Sequence, residues 1–215
     1  MNSREFVDEL ERWNTEYFAG MSTAEDAASV TDVLTMVRIA MMNELEATEL
    51  AALWLPTTPE LDVKLGLARQ VGDESKHFGL LAKRYRELGG DPDSFDPLQG
   101  GYSPLFEYLS RLTTSVERVA AGQFTREALA QKRNDMFLDF LRRTGDDGTA
   151  RLYSDTIQPD EEYHHEFGRR MLLKYATTPE LQNAAREASR RTLEIAGKLR
   201  EAAILKTGMY QIPGC

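Results

Sequence analysis

Apolar positions along this chain recur at helical spacing. Val33, Val37, Ala40, Glu44, Ala47 and Ala51 step by three or four, so their side chains share one face of a helix. A second such stripe runs Leu67, Gln70, Glu74, His77, Leu81, and a third Ala150, Ser154, Ile157, Glu161, His164, Gly168. No segment shows the strict alternation of a half-buried strand. The pattern predicts an all-α chain: a leading helix near 3–18, long helices over about 24–55, 59–88, up to 143 and 149–175, and a last helix over about 179–206.

Punctuation between the stripes sets the connectivity. In Pro56-Thr57-Thr58-Pro59-Glu60-Leu61, Thr58 is a candidate cap and Pro59 suits a first helical position. The same word returns at Thr177-Thr178-Pro179-Glu180-Leu181. Gly89-Gly90 ends the second long helix, and GGDPDSFDPLQGGYSP over 89–104 is the one long Gly/Pro/Asp-rich connection, with a short helix expected near 104–112. Gly122 marks an expected bend, 144–149 a tight turn with a cap, Pro159 a kink, and the terminal GMYQIPGC a loop. Two tightly joined helix pairs linked by one long crossover make an antiparallel four-helix bundle. The leading and last helices are additions to it.

The polar interruptions of the stripes carry the chemistry. The chain has three histidines, His77, His164 and His165. Two fall in matching words, Asp73-Glu74-Ser75-Lys76-His77 and Asp160-Glu161-Glu162-Tyr163-His164, with one offset relating both the Glu and the His. Residues i and i+3 lie on one helix face, so each Glu and His can reach a common metal. Both words sit on inward stripes, where an unpaired carboxylate is costly. A dinuclear site also needs a carboxylate from each of the other two helices. Glu44 in Glu44-Leu45-Glu46-Ala47 and Glu127 in Glu127-Ala128-Leu129-Ala130 share the form Glu-x-x-Ala and sit at suitable distances from the two motifs. Glu44, Glu74, His77, Glu127, Glu161 and His164 are thus the candidate ligands, arranged as an internal repeat; Glu46, Glu49 and Glu117 compete for the single-carboxylate places. Glu162/His165 is the alternative frame, and it breaks the match to the first motif. Asp73 and Asp160 each precede a His by four residues. Either they accept the second ring N–H of a ligand His, from the same helix or across the bundle, or they are solvated helix carboxylates. Met36, Met41 and Met42 read as gap-filling core, and Arg186, Arg190, Arg191, Lys198 and Arg200 as a solvated face.

Composition narrows the classes. At 215 residues, 41% hydrophobic and 28% charged, the chain fits one ordinary globular domain with extra helices. Lys plus Arg number 26 against 35 Asp plus Glu, a net charge of -9, which argues against a large nucleic-acid footprint. The lone Cys215 excludes an internal disulfide framework and a Cys-rich iron or zinc cluster. The N-terminus lacks an apolar signal region and no run is long enough to span a bilayer, so the reducing cytoplasm is the expected compartment. Glycine-rich phosphate loops and nucleophile elbows are absent.

At these residues the sequence resembles the ferritin-like diiron carboxylate superfamily. The words NELEATELA and DESKHFGLLAKRYRELGG and the second Asp-Glu-x-x-His look closest to bacterial ferritin-like proteins. They are more distantly similar to diiron tRNA hydroxylases, phenylacetyl-CoA oxygenase subunits and bacterial multicomponent monooxygenases. The resemblance covers about 33–175. It implies a ferritin-like bundle in which the six candidates are ligands and Glu74 and Glu161 bridge two metal ions. Carboxylate and imidazole ligands suit iron, with manganese as the alternative. The expected function is an oxygen-activating oxygenase or oxidase on a small organic substrate, with electrons from an external donor. Iron handling as a ferroxidase or storage shell, and a metal-stabilised binding protein without turnover, are the competing readings. The substrate, the donor and any homo-oligomer are left open by the sequence.

Overall fold

Local capping sets where the helices start. The structure, a computed structural model, describes residues 1–21, 32–207 and 213–214. Helix α1, Ser3–Ala19, begins at Asn2, whose side chain accepts from Glu5 N while Glu5 returns a bond to Asn2 N, a reciprocal capping box. Asp32 caps α2, Val33–Trp54. A 3₁₀ turn, Leu55–Thr57, leads into α3, Leu61–Glu87. Ser103 caps the short α4, Pro104–Leu109, and Thr114 with Glu117 forms a capping box for α5, Ser115–Arg118. A π-helical segment, Val119–Arg126, carries α5 into α6, Glu127–Thr144, which ends at Gly145 with φ 76°. Asp146 caps α7, Asp147–Leu152, and a second π segment, Tyr153–Ile157, joins it to α8, Gln158–Tyr175. Helix α9 spans Pro179–Thr207. Every regular element among the described residues is helical. The expected start of the first long helix at 24, most of the expected terminal loop, and Cys215 lie outside the described residues.

Two expectations need correction. Thr58 does not cap α3: its hydroxyl is buried, donates to Trp54 O at 2.8 Å and lies 3.1 Å from Arg118 Nη1, so Glu60 takes the cap position without a side-chain bond. In the second copy of the word, Thr178 is exposed and accepts from Leu181 N at the start of α9. The irregularities expected at Gly122 and Pro159 both fall at π-helical turns. Pro159 has no N–H to return to residue 155, and the turn before it widens. That widening shifts the inward register: Tyr153 is buried, while Ser154, expected on the stripe, faces solvent.

Four long helices, α2, α3, α6 and α8, enclose the interior, and two apolar clusters fix their directions. One cluster joins Leu50, Ala51 and Trp54 of α2 to Val63 and Leu67 of α3, Phe124 of the first π segment and Phe167 and Leu172 of α8. The other joins Met36, Val37, Ala40 and Met41 of α2 to Leu81 of α3, Phe137 and Leu141 of α6, and Tyr153 and Ile157. Helices α2 and α8 therefore start at the second cluster and run to the first, while α3 and α6 run the other way. Because α3 and α6 are parallel, the chain between them must travel the length of the bundle. Phe95, early in that crossover, packs on the second cluster, and Leu105 and Phe106 of α4 belong to the first. Glu46 and Glu49 of α2 tether it, accepting from Ser103 and from the Tyr102 hydroxyl. Helices α1 and α9 cover the first cluster from outside through Phe6, Val7, Leu10, Ala185 and Ala188. Arg186 clamps Glu9 with two bonds of 2.9 Å, joining these two helices. No helix among the described residues is long and apolar enough to cross a membrane.

Candidate metal centre

Between the two apolar clusters the same stripes turn polar. Glu44, Glu74, Glu127, Glu161, His77 and His164 are all buried there. Their donor atoms form two groups, each with all atoms within 4.8 Å of one another: Glu44, Glu74, His77 and Glu161, and Glu74, Glu127, Glu161 and His164. Glu74 and Glu161 belong to both. Each group has the donor types and spacing to hold a metal ion.

The histidines are oriented by crossed partners. His77 Nε2 lies 3.1 Å from Asp160 Oδ2, and His164 Nε2 lies 3.1 Å from Asp73 Oδ2. Each Asp thus faces the His of the other motif, across the α3–α8 contact. Burial works against the charge of both aspartates. His164 and Arg69 nevertheless hold Asp73 below the ordinary carboxylate range, and Lys76 and His77 do the same for Asp160. Both are acceptors for an Nε2–H, which leaves Nδ1 of each ring facing the glutamates. His77 Nδ1 is 3.1 Å from Glu74 and 3.4 Å from Glu44; His164 Nδ1 is 3.6 Å from Glu74 and 4.0 Å from Glu161.

Four carboxylates in so small a dry space repel one another. Burial and the Glu74 charge raise Glu44 to about 8, and burial with Glu127, Glu74 and Glu44 lifts Glu161 well above its ordinary value. Burial opposes the charge of His77, but Glu44 and Glu74 outweigh it and raise the ring to about 11. In the metal-free protein, protons hold the place that cations would take. Glu161 Oε2 and His164 Nδ1 are buried without any hydrogen-bond partner, and unpaired buried polar atoms of this kind are rare. A cation among these donors satisfies both atoms and screens the carboxylates, so the residue set fits a bound metal.

The competing assignments go elsewhere. Glu46 and Glu49 hold the crossover, and Glu117 closes the α5 capping box. Glu162 is exposed. His165 turns outward, Nδ1 donating to Phe124 O at 2.8 Å and Nε2 lying 3.4 Å from Glu11. Sequence reasoning placed Gln70 on the inward stripe without a role and missed Gln123 and Tyr153. Gln70 Nε2 donates to Glu127 at 2.7 Å and Glu74 at 3.2 Å, and Gln123 Nε2 donates to Gln70 Oε1 at 2.8 Å. The signal available was a Gln one turn before a candidate Glu, in both helices. Arg126, also buried, has Nη1 3.6 Å from Glu127. Two grooves among the described residues lie away from the centre: one of about 520 Å³ between α1 and α9, bordered by Trp13, Tyr17 and Leu193, and one of about 660 Å³ between α4 and α9, bordered by Tyr102, Tyr108 and Ile195.

Comparison with protein-family models, curated proteins and solved structures returns no match for this chain.

Proposed function

We propose that this chain is a ferritin-like dinuclear metal protein that holds two iron ions and reduces dioxygen, as an oxidoreductase supplied with electrons by an external donor. The observation that carries this reading is the pair of overlapping buried donor groups sharing Glu74 and Glu161. In this account Glu74 and Glu161 would serve both positions, with Glu44 and His77 completing one and Glu127 and His164 the other. Manganese suits the same donors and is the alternative metal. Iron bound here would supply one-electron steps at two adjacent ions.

The chain's own residues do the rest. Asp160 and Asp73 keep His77 and His164 in the tautomer that leaves Nδ1 free to ligate, and they make each ring a stronger donor. Gln70 Nε2 donates to both the Glu74 and Glu127 carboxylates and holds them in place. Trp54, Phe124, Phe137 and Leu81, all essentially inaccessible, wall off water at both ends and keep the interior dielectric low. The organic substrate belongs to this same proposal. A second reading is a ferroxidase that oxidises iron itself, for which the same buried carboxylate and imidazole donors would serve.

Aerobic ferrous titration separates the two. An enzyme saturates near two irons per chain and cycles between oxidised and reduced states on addition of a reductant. Uptake of tens of irons or more per chain into a mineral supports storage and ends the enzyme reading.

A further inference from the structure

The internal repeat is broken at the two ends of the centre. One turn before Glu74 and Glu127 stand Gln70 and Gln123, both buried; Gln70 Nε2 donates to both carboxylates, and Gln123 Nε2 donates in turn to Gln70 Oε1. One turn before Glu161 and Glu44, the matching places, stand Ile157 and Ala40. Both are buried and neither offers a donor. Leu81, Phe137 and Met41 complete this second, apolar wall.

Tyr153 reaches into that wall. It is 1% exposed, packs edge-on against Phe137 with ring centroids 5.1 Å apart, and stands one widened turn before Ile157 on the line that leads to Glu161. Its hydroxyl has no hydrogen-bond partner in the protein. Phenylalanine would fill the same apolar space without leaving a buried donor unmet, and such a donor costs about 1–3 kcal/mol. Burial together with the nearby charges of Glu44 and Glu161 raises the phenol well above its ordinary value, so the oxygen keeps its proton and acts as a donor.

We propose that the centre takes its exogenous small ligand, a water or a small anion, at the Tyr153 end, beside the metal position of Glu44, His77 and Glu161, and that the Tyr153 hydroxyl donates a hydrogen bond to that ligand. The proposal rests on the reading of the cluster as a metal centre. It gives the centre a polar end, held by Gln70 and Gln123, and an apolar end whose one polar group is the Tyr153 phenol.

The test uses the full chain and Tyr153→Phe, each loaded with iron, oxidised and titrated with azide as the probe. Metal content should be equal, and azide should bind the variant about tenfold or more weakly, the loss expected for one hydrogen bond to a charged ligand. Without metal, Tyr153→Phe should melt at or above the temperature of the unaltered chain, because it removes an unmet donor. Equal azide affinity at equal metal content, or no azide binding by the loaded unaltered chain, overturns this proposal alone. A metal-free variant that melts clearly lower shows a protein partner for the hydroxyl and overturns it too. Failure of the unaltered chain to take up metal overturns the metal reading and this one with it.

Discussion

Replacing Asp160 by Asn probes the crossed histidine pairing, and besides it removes only the half-exposed ion pairs to Lys76 and Arg69. Asp160 lies at the rim of the bundle, its side chain 17% exposed, with Oδ2 3.1 Å from His77 Nε2 and 2.6 Å from Lys76 Nζ. As a carboxylate it accepts the Nε2 proton, so Nδ1, which faces Glu44 and Glu74, is the nitrogen that would lose its proton and ligate. Asn keeps the size but not the charge. If its oxygen faces the ring, the tautomer survives and His77 becomes a weaker donor. If its NH₂ faces the ring, Nε2 must accept, the proton moves to Nδ1, and His77 cannot ligate in that form. Losing such an outer partner typically weakens metal binding 10–100-fold, about 1.4–2.7 kcal/mol. The crossed geometry assigns the loss to one ion. Asp160→Asn should weaken the position of Glu44 and His77, and Asp73→Asn that of Glu127 and His164. Anaerobic ferrous titration followed by calorimetry should show one of two binding steps shifted in each variant, with the metal-free thermal melt changed little because both aspartates are partly solvated. Isotherms indistinguishable from those of the unaltered chain would refute the pairing and leave both residues as solvated helix carboxylates.

The shared carboxylates give a stoichiometric signature: Glu74→Ala and Glu161→Ala should lose both ions by elemental analysis, whereas Glu44→Ala and Glu127→Ala should retain one. Two glycines of α3 should respond in opposite directions in metal-free thermal melts. A Cβ on Gly66 would lie 2.1 Å from Phe167 Cζ, and the overpacking should cost about 1–3 kcal/mol despite the gain in helix propensity. A Cβ on the exposed Gly72 meets nothing within 4 Å, so Gly72→Ala should gain up to about 1 kcal/mol, or roughly 2–4 °C in Tm.

The legible part of this chain was what helical period controls. Leu67, Gln70, Glu74, His77 and Leu81 are all buried as the stripe required, because α3 is regular from end to end. The six candidate ligands converge for the same reason: their spacing is local and their helices are long. Where a turn departs from the regular period, the reading slipped. The π turn before Pro159 exchanged Ser154 for Tyr153 on the inward face, and the π segment through Gly122 hid Gln123 just upstream of Glu127. Lateral packing was equally out of reach. Thr58 and Thr178 occupy the same five-residue word, yet Trp54 and Arg118 claim the first hydroxyl. The two Asp-Glu-x-x-His words are alike in sequence, but only the α3–α8 contact determines that each Asp serves the other's His.

The central claim is that the glutamate and histidine cluster holds two metal ions inside the bundle. The most direct measurement is the iron content of the full chain after anaerobic ferrous loading and removal of loosely bound metal, read by elemental analysis. The expected result is close to two irons per chain, one for each donor group. A content that stays at zero under these conditions contradicts the account.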